Sequence, residues 1–407
     1  MPGPLSHIRV LDLSRVLAGP WASQLLADLG AEVIKIERPG EGDDTRGWGP
    51  PFISNADGSQ GDAAYFLSTN RGKRSVCIDM AKPEGQALIR KLAEKSDIVL
   101  ENFKVGGLKK YGLDYESLKA LNPGLIYCSI TGFGQDGPYA QRAGYDFMIQ
   151  GMGGIMSITG QPDGVEGAGP VKIGVAFADI FTGIYSVIGM LAALVHRDRS
   201  GEGQHVDMAL LDTQVAVLGN QALNYLVGGK SPVRLGNAHP NIVPYQTFET
   251  KDGHIIIAVG TERQFREYCT LIGAPALLDD KRFASNRARV KNRDALIALL
   301  IEPMKARTTA DWIAVFEPAA IPCGPINTIE QVFADPQVQH RGLNISLTRP
   351  DGVATPGVAN PIRLSATPVT YDKPPPALGE GTDAVLHDLL GLNSEEIGRL
   401  RVSGTIG

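Results

Sequence analysis

Short apolar runs alternate with amphipathic stretches over the first 130 residues. The apolar runs predict the strands 8–13, 31–37, 75–80, 97–103 and 124–130. Between them, apolar positions recur at helical spacing up to Leu29, over 83–95 and, more briefly, over 115–122. Strands that alternate with helices in this way are typical of a parallel sheet covered on both faces. We therefore predict an α/β fold built on a doubly wound parallel sheet.

The chain changes character twice after this region. Residues 144–183 contain ten glycines and one predicted helix (145–156), and they lead into a long apolar helix from about 180 to 197. A predicted linker follows. The pattern over residues 243–327 then predicts a hairpin that turns at Asp252-Gly253 and three helices, after which the α/β pattern returns. We therefore predict a small α+β domain (226–325) between two parts of a larger domain (1–225 and 326–407).

Composition and charge narrow the possible functions. The 407 residues carry a formal net charge of −5, which favours neither a nucleic-acid nor an anionic-lipid partner. Four cysteines form no Cys-x-x-Cys pair, so neither a zinc site nor a disulfide framework is predicted. Charged residues at 9, 12 and 15 interrupt the stretch where a signal peptide needs its apolar core, and the apolar segment 180–195 is short for a bilayer. We expect a cytoplasmic protein without a membrane partner or a bound metal.

The α/β pattern suggests a dinucleotide site, but the glycine fingerprint is missing. SRVLAGP stands between the first strand and helix, and the single Gly-x-Gly-x-x-Ala match, 379–384, follows three prolines instead of a strand. The chain also has no P-loop, no His-Glu-x-x-His and no Gly-x-Ser-x-Gly. These absences argue against the simplest NAD-dependent, nucleotide-hydrolysing, zinc-protease and esterase functions.

Asp179 is the most informative single residue. It lies in GVAFADIFTGIY, where no neighbour is charged, at the predicted start of the long helix. Such a carboxylate either caps the helix by accepting bonds from free backbone amides or serves as a nucleophile beside those amides. The residues alone leave both interpretations open and favour the cap as the commoner one.

Basic residues cluster where predicted strands begin or end. Because loops at one end of parallel strands share a rim, these side chains are candidates for binding a phosphate-bearing ligand, the alternative being a solvated rim. The residues are Arg38, Arg71, Lys73, Arg74, Lys104, Lys109 and Lys110. Phe103 and Tyr111 either stack on a flat base or belong to the core, and Trp48, in a Gly/Pro-rich loop, is typical of an aromatic residue that closes a site.

Eight segments carry a familiar pattern in chain order: RVLAGP, AEVIKIERPGEGDDTR, YFLSTNRGKRS, DIVLENF, RAGYDFMIQ, GVAFADIFTG, RDRSGEGQHVDMALLD and CGPIN. Together they resemble the class III CoA-transferase family, which includes formyl-CoA and carnitine CoA-transferases, over nearly the whole chain. Within that family, DDTRGWGPPF, QRAGYD, NIVPYQTF and GPIN look closest to the succinyl-CoA:glutarate CoA-transferases.

The resemblance implies both an architecture and a nucleophile. It implies a large Rossmann-like domain built from both chain ends, an inserted small domain, and a homodimer of interlocked protomers. The family's catalytic aspartate opens a helix in a pattern like G-D-x-x-T-G. Here that pattern falls on Asp179, with Thr182 and Gly183 retained and Ala178 in place of the first glycine. An acyl-CoA and a carboxylic acid would be the substrates, with no prosthetic group.

The resemblance also implies ligand contacts. On the CoA side these are Val16, Ala18, Arg38, Asn102, Phe103, Lys110, Tyr111 and Arg142, to which the basic rim adds Lys73. On the acyl side they are Leu17, Trp48, Tyr145 and Asp146. Leu17 replaces a glutamine of formyl-CoA transferases, and LGNAHPNIVPY (235–245) replaces their glycine loop, so formate and oxalate are disfavoured. The second carboxylate of a dicarboxylic acid substrate would need a cation in an apolar pocket, and Arg46 is a candidate for that contact.

These expectations combine into CoA transfer from succinyl-CoA to glutarate through an aspartyl mixed anhydride and an aspartyl-CoA thioester. The alternatives are an α-methylacyl-CoA racemase of the same superfamily and a CoA-binding protein without turnover. A racemase needs a His/Asp acid–base pair, but Tyr145 stands where its histidine would fall, and a tyrosine with a pKa near ~10 is a poor base at neutral pH. Intact Asp179 disfavours the second alternative.

Overall fold

The computed structural model describes residues 2–407. The strands are β1 (Arg9–Asp12), β2 (Glu32–Glu37), β3 (Phe52–Ser54), β4 (Gln60–Ala63), β5 (Lys73–Cys77), β6 (Ile98–Glu101), β7 (Ile126–Thr131), β8 (His205–Ala209), β9 (Tyr245–Glu249), β10 (His254–Ala258), β11 (Cys323–Pro325), β12 (Asn344–Thr348) and β13 (Ala354–Val358). The α-helices are α1 (Ala18–Asp28), α2 (Ala64–Leu67), α3 (Pro83–Glu94), α4 (Tyr115–Lys119), α5 (Asp146–Met152), α6 (Ile155–Ile158), α7 (Phe177–Ser200), α8 (Leu210–Ala216), α9 (Gly219–Gly228), α10 (Glu262–Leu271), α11 (Asn286–Lys291), α12 (Arg293–Met304), α13 (Thr309–Phe316), α14 (Ile329–Ala334), α15 (Pro336–His340), α16 (Thr382–Leu390) and α17 (Ser394–Val402). Short 3-10 helices lie at Asp44–Gly47, Lys109–Tyr111 and Pro275–Leu278.

Six strands form one sheet in the order β5-β2-β1-β6-β7-β8. Every neighbouring pair is parallel, and Leu11 of β1 lies between Ile34 of β2 and Val99 of β6. The α/β fold with a parallel sheet, predicted from the alternating pattern, is therefore confirmed. The strand order reverses between β1 and β6, and in open α/β sheets ligands bind outside the carboxyl ends of the strands at such a point.

Helices pack on both faces of the sheet because successive side chains of a strand point in opposite directions. Val10 belongs to a buried cluster with residues of α1 and α7, such as Ala22 and Met190. Leu11, the next residue, belongs to a second buried cluster with residues of α3, such as Leu92, and of α16. The apolar strand residues that the sequence pattern singled out are thus buried on either side of the sheet.

Helix α7 is longer than the sequence pattern predicts. It runs for 24 residues, and it ends at Gly201, which adopts a left-handed conformation. By length and composition alone this helix could cross a bilayer, so the expectation of a segment too short to do so is wrong. Part of the helix is buried inside the protein, where it packs on α1, β7 and β8.

The predicted helix over 145–156 is in fact two helices. Helix α5 ends at Met152 and α6 begins at Ile155, with two glycines between them. Gly154 has a φ of +85°, which a residue with a Cβ atom rarely adopts, so the chain leaves the helix there. The short helix α5 packs against α7 and α8.

The chain divides into two compact units. The larger consists of Met1–Ile155, Lys172–Lys230 and Gln337–Gly407, and the smaller of Met156–Val171 and Ser231–Pro336. The smaller unit contains the antiparallel sheet β11-β10-β9, in which β9 and β10 form the hairpin predicted at Asp252-Gly253. Its core includes Trp312 and Phe316, whose ring centroids are 5.0 Å apart. This division assigns 156–171 to the smaller unit, whereas the sequence pattern placed that segment in the larger domain.

Candidate active site

A cavity of about 710 Å³ opens at the carboxyl ends of the parallel strands, where the strand order reverses. Its wall consists of the loops that follow β1, β2, β5, β6 and β7, together with Asp179 from the first turn of α7. All of these residues belong to the larger unit. The cavity therefore lies where an open α/β sheet is expected to bind a ligand.

Asp179 is not the cap of its helix. The N-cap position is Ala176, which has no side chain able to cap, and Asp179 is the third residue of α7. Its side chain lines the cavity and is partly exposed there. Of the two interpretations that the residues left open, the helix cap is wrong, and the carboxylate is available to a ligand in the cavity.

The structure explains the two residues that complete the family pattern after Asp179, namely Thr182 and Gly183. Thr182 is buried, and its hydroxyl donates to the carbonyl oxygen of Ala178 at 2.7 Å. Gly183 lies against α1, so that a Cβ atom added there would be 2.7 Å from the carbonyl oxygen of Ala18. The absence of a side chain at Gly183 therefore lets the start of α1 approach α7 one turn after Asp179.

Asp146 caps helix α7 from a different helix. Its Oδ1 accepts hydrogen bonds from the backbone amides of Ala178 at 2.8 Å and Asp179 at 3.3 Å. Its Oδ2 accepts from Nε2 of Gln150 at 2.7 Å, and Oε1 of Gln150 in turn accepts from the amide of Ile173 at 2.8 Å. A carboxylate at a helix N-terminus satisfies free donors and interacts favourably with the helix dipole. Asp146 and Gln150 thus hold both α7 and the segment that leads into it.

The environment of Asp179 disfavours its charge. Burial of the carboxyl group, and then the nearby charge of Asp146, raise the pKa of Asp179 from 3.8 to about 7. Asp179 therefore keeps its proton to a higher pH than an ordinary aspartate does. A carboxylate with a raised pKa is a stronger base than an ordinary one, and a strongly perturbed acid in a cavity is typical of functional sites.

Tyr65 belongs to the same electrostatic environment, although sequence reasoning did not single it out. Burial, followed by the charges of Asp179 and Asp146, raises the pKa of Tyr65 to about 12. Its ring contacts Trp48 edge-on, with centroids 5.4 Å apart. Trp48 itself is 47% exposed and does not line the cavity in this structure. The segment YFLSTNRGKRS contains Tyr65, but nothing in its spacing distinguishes this tyrosine from a core aromatic.

The cavity brings together most of the residues assigned to ligand contacts from the sequence. They are Val16, Leu17, Ala18, Arg38, Asn102, Phe103, Lys110, Tyr111, Arg142 and Tyr145. Arg142 lies over the ring of Tyr139, at 4.6 Å from its centroid, and Lys110 lies over the ring of Tyr111, also at 4.6 Å. The role of these residues in CoA binding stays a prediction.

Asn102 has a partner inside the protein. Its Oδ1 accepts from the amide of Arg15 at 2.9 Å, and its Nδ2 donates to the carbonyl oxygen of the same residue at 2.6 Å. The guanidinium of Arg15 lies over the ring of Phe103, at 5.2 Å from its centroid. The Asn-Phe pair therefore fixes the loop after β1 in addition to lining the cavity.

Lys73 does not line the cavity, which corrects its assignment to the CoA site. Its side chain is fully buried, and its ammonium donates to Asn70 Oδ1 at 2.8 Å, the carbonyl of Pro20 at 3.0 Å and Asp12 Oδ2 at 3.3 Å. These acceptors use all three donors of the ammonium group. Lys73 is therefore part of the support beneath the site.

Arg46 is likewise occupied, which corrects its proposed contact with a distal carboxylate. Its guanidinium makes two bonds to Glu37, at 2.7 and 2.8 Å, and one to Asp62 at 2.9 Å. It also lies over the ring of Phe66, at 3.8 Å from its centroid. The side chain is 8% exposed and has no free face for a substrate carboxylate.

Within residues 2–407, no group of three or more His, Cys, Asp or Glu side chains is arranged to hold a metal ion. The four cysteines, at 77, 128, 269 and 323, are free.

The chain is similar to known proteins over almost its whole length. The model of CoA-transferase family III matches residues 5–382. A succinate–glutarate CoA-transferase from Agrobacterium fabrum is 58% identical, with 95% of this chain and 96% of that protein covered. A succinyl-CoA:glutarate CoA-transferase from Homo sapiens is 43% identical, with 99% and 90% covered. The crystal structure of a CAIB/BAIF family protein from Brucella suis, at 56% identity, covers 96% of this chain and 100% of that one with a TM-score of 0.84.

Proposed function

The chain belongs to CoA-transferase family III, and from that premise we propose that it moves CoA from succinyl-CoA to glutarate. The observation that carries the proposal is Asp179, a carboxylate whose pKa is raised to about 7 by burial and by Asp146, in the wall of a cavity at the strand reversal. The names of the relatives from Agrobacterium fabrum and Homo sapiens support the choice of donor and acceptor.

In the first half of the proposed reaction, Asp179 takes CoA from the donor. A carboxylate oxygen of Asp179 attacks the thioester carbonyl of succinyl-CoA, the C–S bond breaks, and CoA leaves as a thiolate. The product is a mixed anhydride between Asp179 and succinate. The thiolate then attacks the aspartyl carbonyl of this anhydride, so that succinate leaves and an aspartyl-CoA thioester remains.

The second half reverses these steps with a different acid. A carboxylate of glutarate attacks the aspartyl-CoA carbonyl and displaces CoA as a thiolate. The product is a second mixed anhydride, between Asp179 and glutarate. The thiolate attacks the glutaryl carbonyl, which releases glutaryl-CoA and restores the carboxylate of Asp179. No water is consumed, so a site that excludes water conserves the thioester.

The surroundings of Asp179 suit this role. The bonds from the amides of residues 178 and 179 to Asp146 fix the backbone that carries the nucleophile. The raised pKa of Asp179 makes the ionised carboxylate a better base, and hence a better nucleophile, than an ordinary aspartate. No histidine lines the cavity in the part of the chain that the structure describes, which disfavours the racemase alternative.

For CoA we propose the contacts that line the cavity, with Arg38, Lys110 and Arg142 as cations for its phosphates. Charge-assisted bonds from arginine and lysine are the usual means of holding phosphate groups. With Arg46 and Lys73 bonded inside the protein, neither contributes to this set.

We also propose the finer architecture implied by the resemblance: a Rossmann-like, doubly wound large domain from both chain ends, a small domain over 226–325, and an interlocked homodimer in the cytoplasm. Large apolar side chains on α7 and α9 that are more than half exposed support an interface between protomers; they are Ile188, Val195, Leu223, Tyr225, Leu226 and Val227. Sedimentation equilibrium should give twice the mass of the chain, and a monomer at micromolar concentration would contradict the dimer.

The experiment that tests the proposed reaction is an acceptor screen. The protein is incubated with succinyl-CoA and, separately, glutarate, oxalate, formate, mesaconate or carnitine, and acyl-CoA products are followed by mass spectrometry. We expect glutaryl-CoA and succinate to form in equal amounts, and Asp179→Asn to form neither. Use of another acid in preference to glutarate would contradict the proposed acceptor.

A further inference from the structure

The loop that follows β1 holds one residue in an unusual backbone conformation. Val16 has a φ of +71°, a left-handed value that a β-branched residue adopts only when its surroundings impose it. Val16 lines the cavity together with Leu17 and Ala18. The carbonyl of Ala18 in turn packs on Gly183, one turn of α7 beyond Asp179. The conformation of Val16 therefore determines the path of residues 16–18, which form the cavity wall close to Asp179.

Four side chains, two on strands and two in loops, bind the backbone of this loop. The amide of Ser14 donates to Asp12 Oδ1 at 2.9 Å, and the carbonyl of Ser14 accepts from Lys35 Nζ at 2.8 Å. Both backbone groups of Arg15 bind the side chain of Asn102, as described above. The amide of Val16 donates to Asp43, at 3.2 Å from Oδ2 and 3.3 Å from Oδ1.

Lys35 and Asp43, which both line the cavity, form an ion pair that contacts this loop. Their ammonium and carboxylate are 2.9 Å apart, and both side chains are fully buried. Oδ1 of Asp43 also accepts from the amide of Thr45 at 3.0 Å and from its hydroxyl at 2.7 Å. Burial alone would raise the pKa of Asp43, but the Lys35 ammonium holds it at about 2. Asp43 therefore stays ionised, and both of its oxygens face donors.

We propose that Lys35 and Asp43 are positioning residues of the transferase, which hold Val16 in its left-handed conformation and so place the cavity wall of Val16, Leu17 and Ala18 beside Asp179. This inference rests on the proposed function. A buried ion pair is seldom the most stabilising choice, because apolar residues of the same size often do as well. Its presence under a strained loop at a reaction site is explained by the geometry that the pair imposes.

The main test is Asp43→Asn. Because both carboxylate oxygens of Asp43 face donors, an amide NH₂ in either orientation meets a donor instead of an acceptor. We expect kcat for CoA transfer to fall ~10- to 100-fold, as a displacement of about 1 Å in a site can do, with a smaller change in KM for succinyl-CoA. A folded variant with the wild-type kcat would overturn the proposal.

Asp28→Asn is the matched control. Asp28 ends α1, the helix that begins at Ala18, and its carboxylate is also buried, with bonds of 2.6 and 2.8 Å to Arg71. Neither Asp28 nor Arg71 lines the cavity. Loss of this pair should lower thermal stability and leave kcat unchanged. An equal fall of kcat in both variants would mean that any buried pair has this effect, which would overturn a specific role for Asp43.

Val16→Gly tests whether Asp43 acts through Val16. Glycine adopts positive φ without strain, so the loop depends less on the pair when residue 16 is glycine. The Asp43→Asn substitution should therefore reduce kcat by a smaller factor in the Val16→Gly background than in the wild type. Equal factors in both backgrounds would show that Asp43 does not act through Val16.

A readout that does not depend on activity separates this inference from the proposed function. Amide hydrogen exchange of residues 14–18 should become faster in Asp43→Asn and stay unchanged in Asp28→Asn, and unchanged exchange in both would overturn the proposal even if the wild type transferred no CoA. If Asp43→Asn does not fold, Thr45→Val removes one orienting bond and leaves the ion pair. It should raise exchange in the same segment and lower kcat several-fold, and wild-type values of both would overturn the proposal.

Discussion

Replacement of the proposed nucleophile should make the protein more stable. In Asp179→Asn, the amide has nearly the shape of the carboxylic acid but never carries its charge. The pKa of Asp179 is about 7 in the folded protein because of burial and the charge of Asp146, against 3.8 in an unfolded chain. This difference corresponds to about 4 kcal/mol of stability that the folded protein loses when Asp179 ionises.

The increase in the free energy of unfolding of Asp179→Asn should depend on pH. Below pH 4 both states hold the proton, and ionisation costs nothing. Between pH 4 and 7 the unfolded chain releases its proton first, so the stability of the wild type falls as pH rises, and above pH 7 the full cost is present. The asparagine variant lacks this term. Its free energy of unfolding should exceed that of the wild type by about 2 kcal/mol at pH 5 and by about 4 kcal/mol at pH 8.

Urea denaturation of both proteins at pH 5 and pH 8 measures these differences. Asp198→Asn is a suitable control, because Asp198 is exposed on the last turn of the same helix and contacts no cavity residue. The control should change stability little, with no difference between the two pH values. A less stable Asp179→Asn protein at pH 8, or an equal gain at both pH values, would refute the view that the site imposes a cost on the ionised carboxylate.

Three further substitutions test the surroundings of the site. Asp146→Asn removes the neighbouring charge, so the pKa of Asp179 should fall and the acidic limb of the kcat/KM profile should move to lower pH; an unmoved limb would contradict the coupling. Arg46→Met leaves Glu37 buried without its partner and should cost about 3–5 kcal/mol in urea denaturation, while KM for glutarate stays the same; a raised KM alone would return Arg46 to the substrate site. Gly183→Ala forces a Cβ atom to within 2.7 Å of the Ala18 carbonyl, so kcat and the melting temperature should both fall, and a variant equal to the wild type would show that the helices can separate freely.

Periodicity was sufficient to predict the strands of the parallel sheet and the hairpin because each of these depends on a local pattern. The alternating apolar strands and the Asp252-Gly253 turn each contain their own signal within a few residues. The break of the helix at Gly153 and Gly154 was missed because the apolar pattern continues across both glycines.

The site itself depends on residues that are distant in the sequence. The cap of α7 comes from Asp146, 32 residues before the amide of Ala178 that it binds, so the sequence around Asp179 contains no sign of it. Lys73 and Arg46 stand at positions typical of ligand contacts. The side chain of Lys73 on β5 turns inward to Asp12 on β1, two strands away, and only the folded sheet brings these two residues together. The side chain of Arg46, in the loop after β2, turns inward to Glu37 and Asp62.

The central claim is that Asp179 carries CoA covalently, and a trapping experiment tests it most directly. The protein is mixed with succinyl-CoA without an acceptor, quenched in acid and digested, and the peptides are identified by mass spectrometry. The mass of CoA less one water should be found on the peptide that contains Asp179, and it should disappear as glutaryl-CoA forms when glutarate is added before the quench. Formation of glutaryl-CoA without any adduct, or with an adduct on another residue, would contradict the role of Asp179.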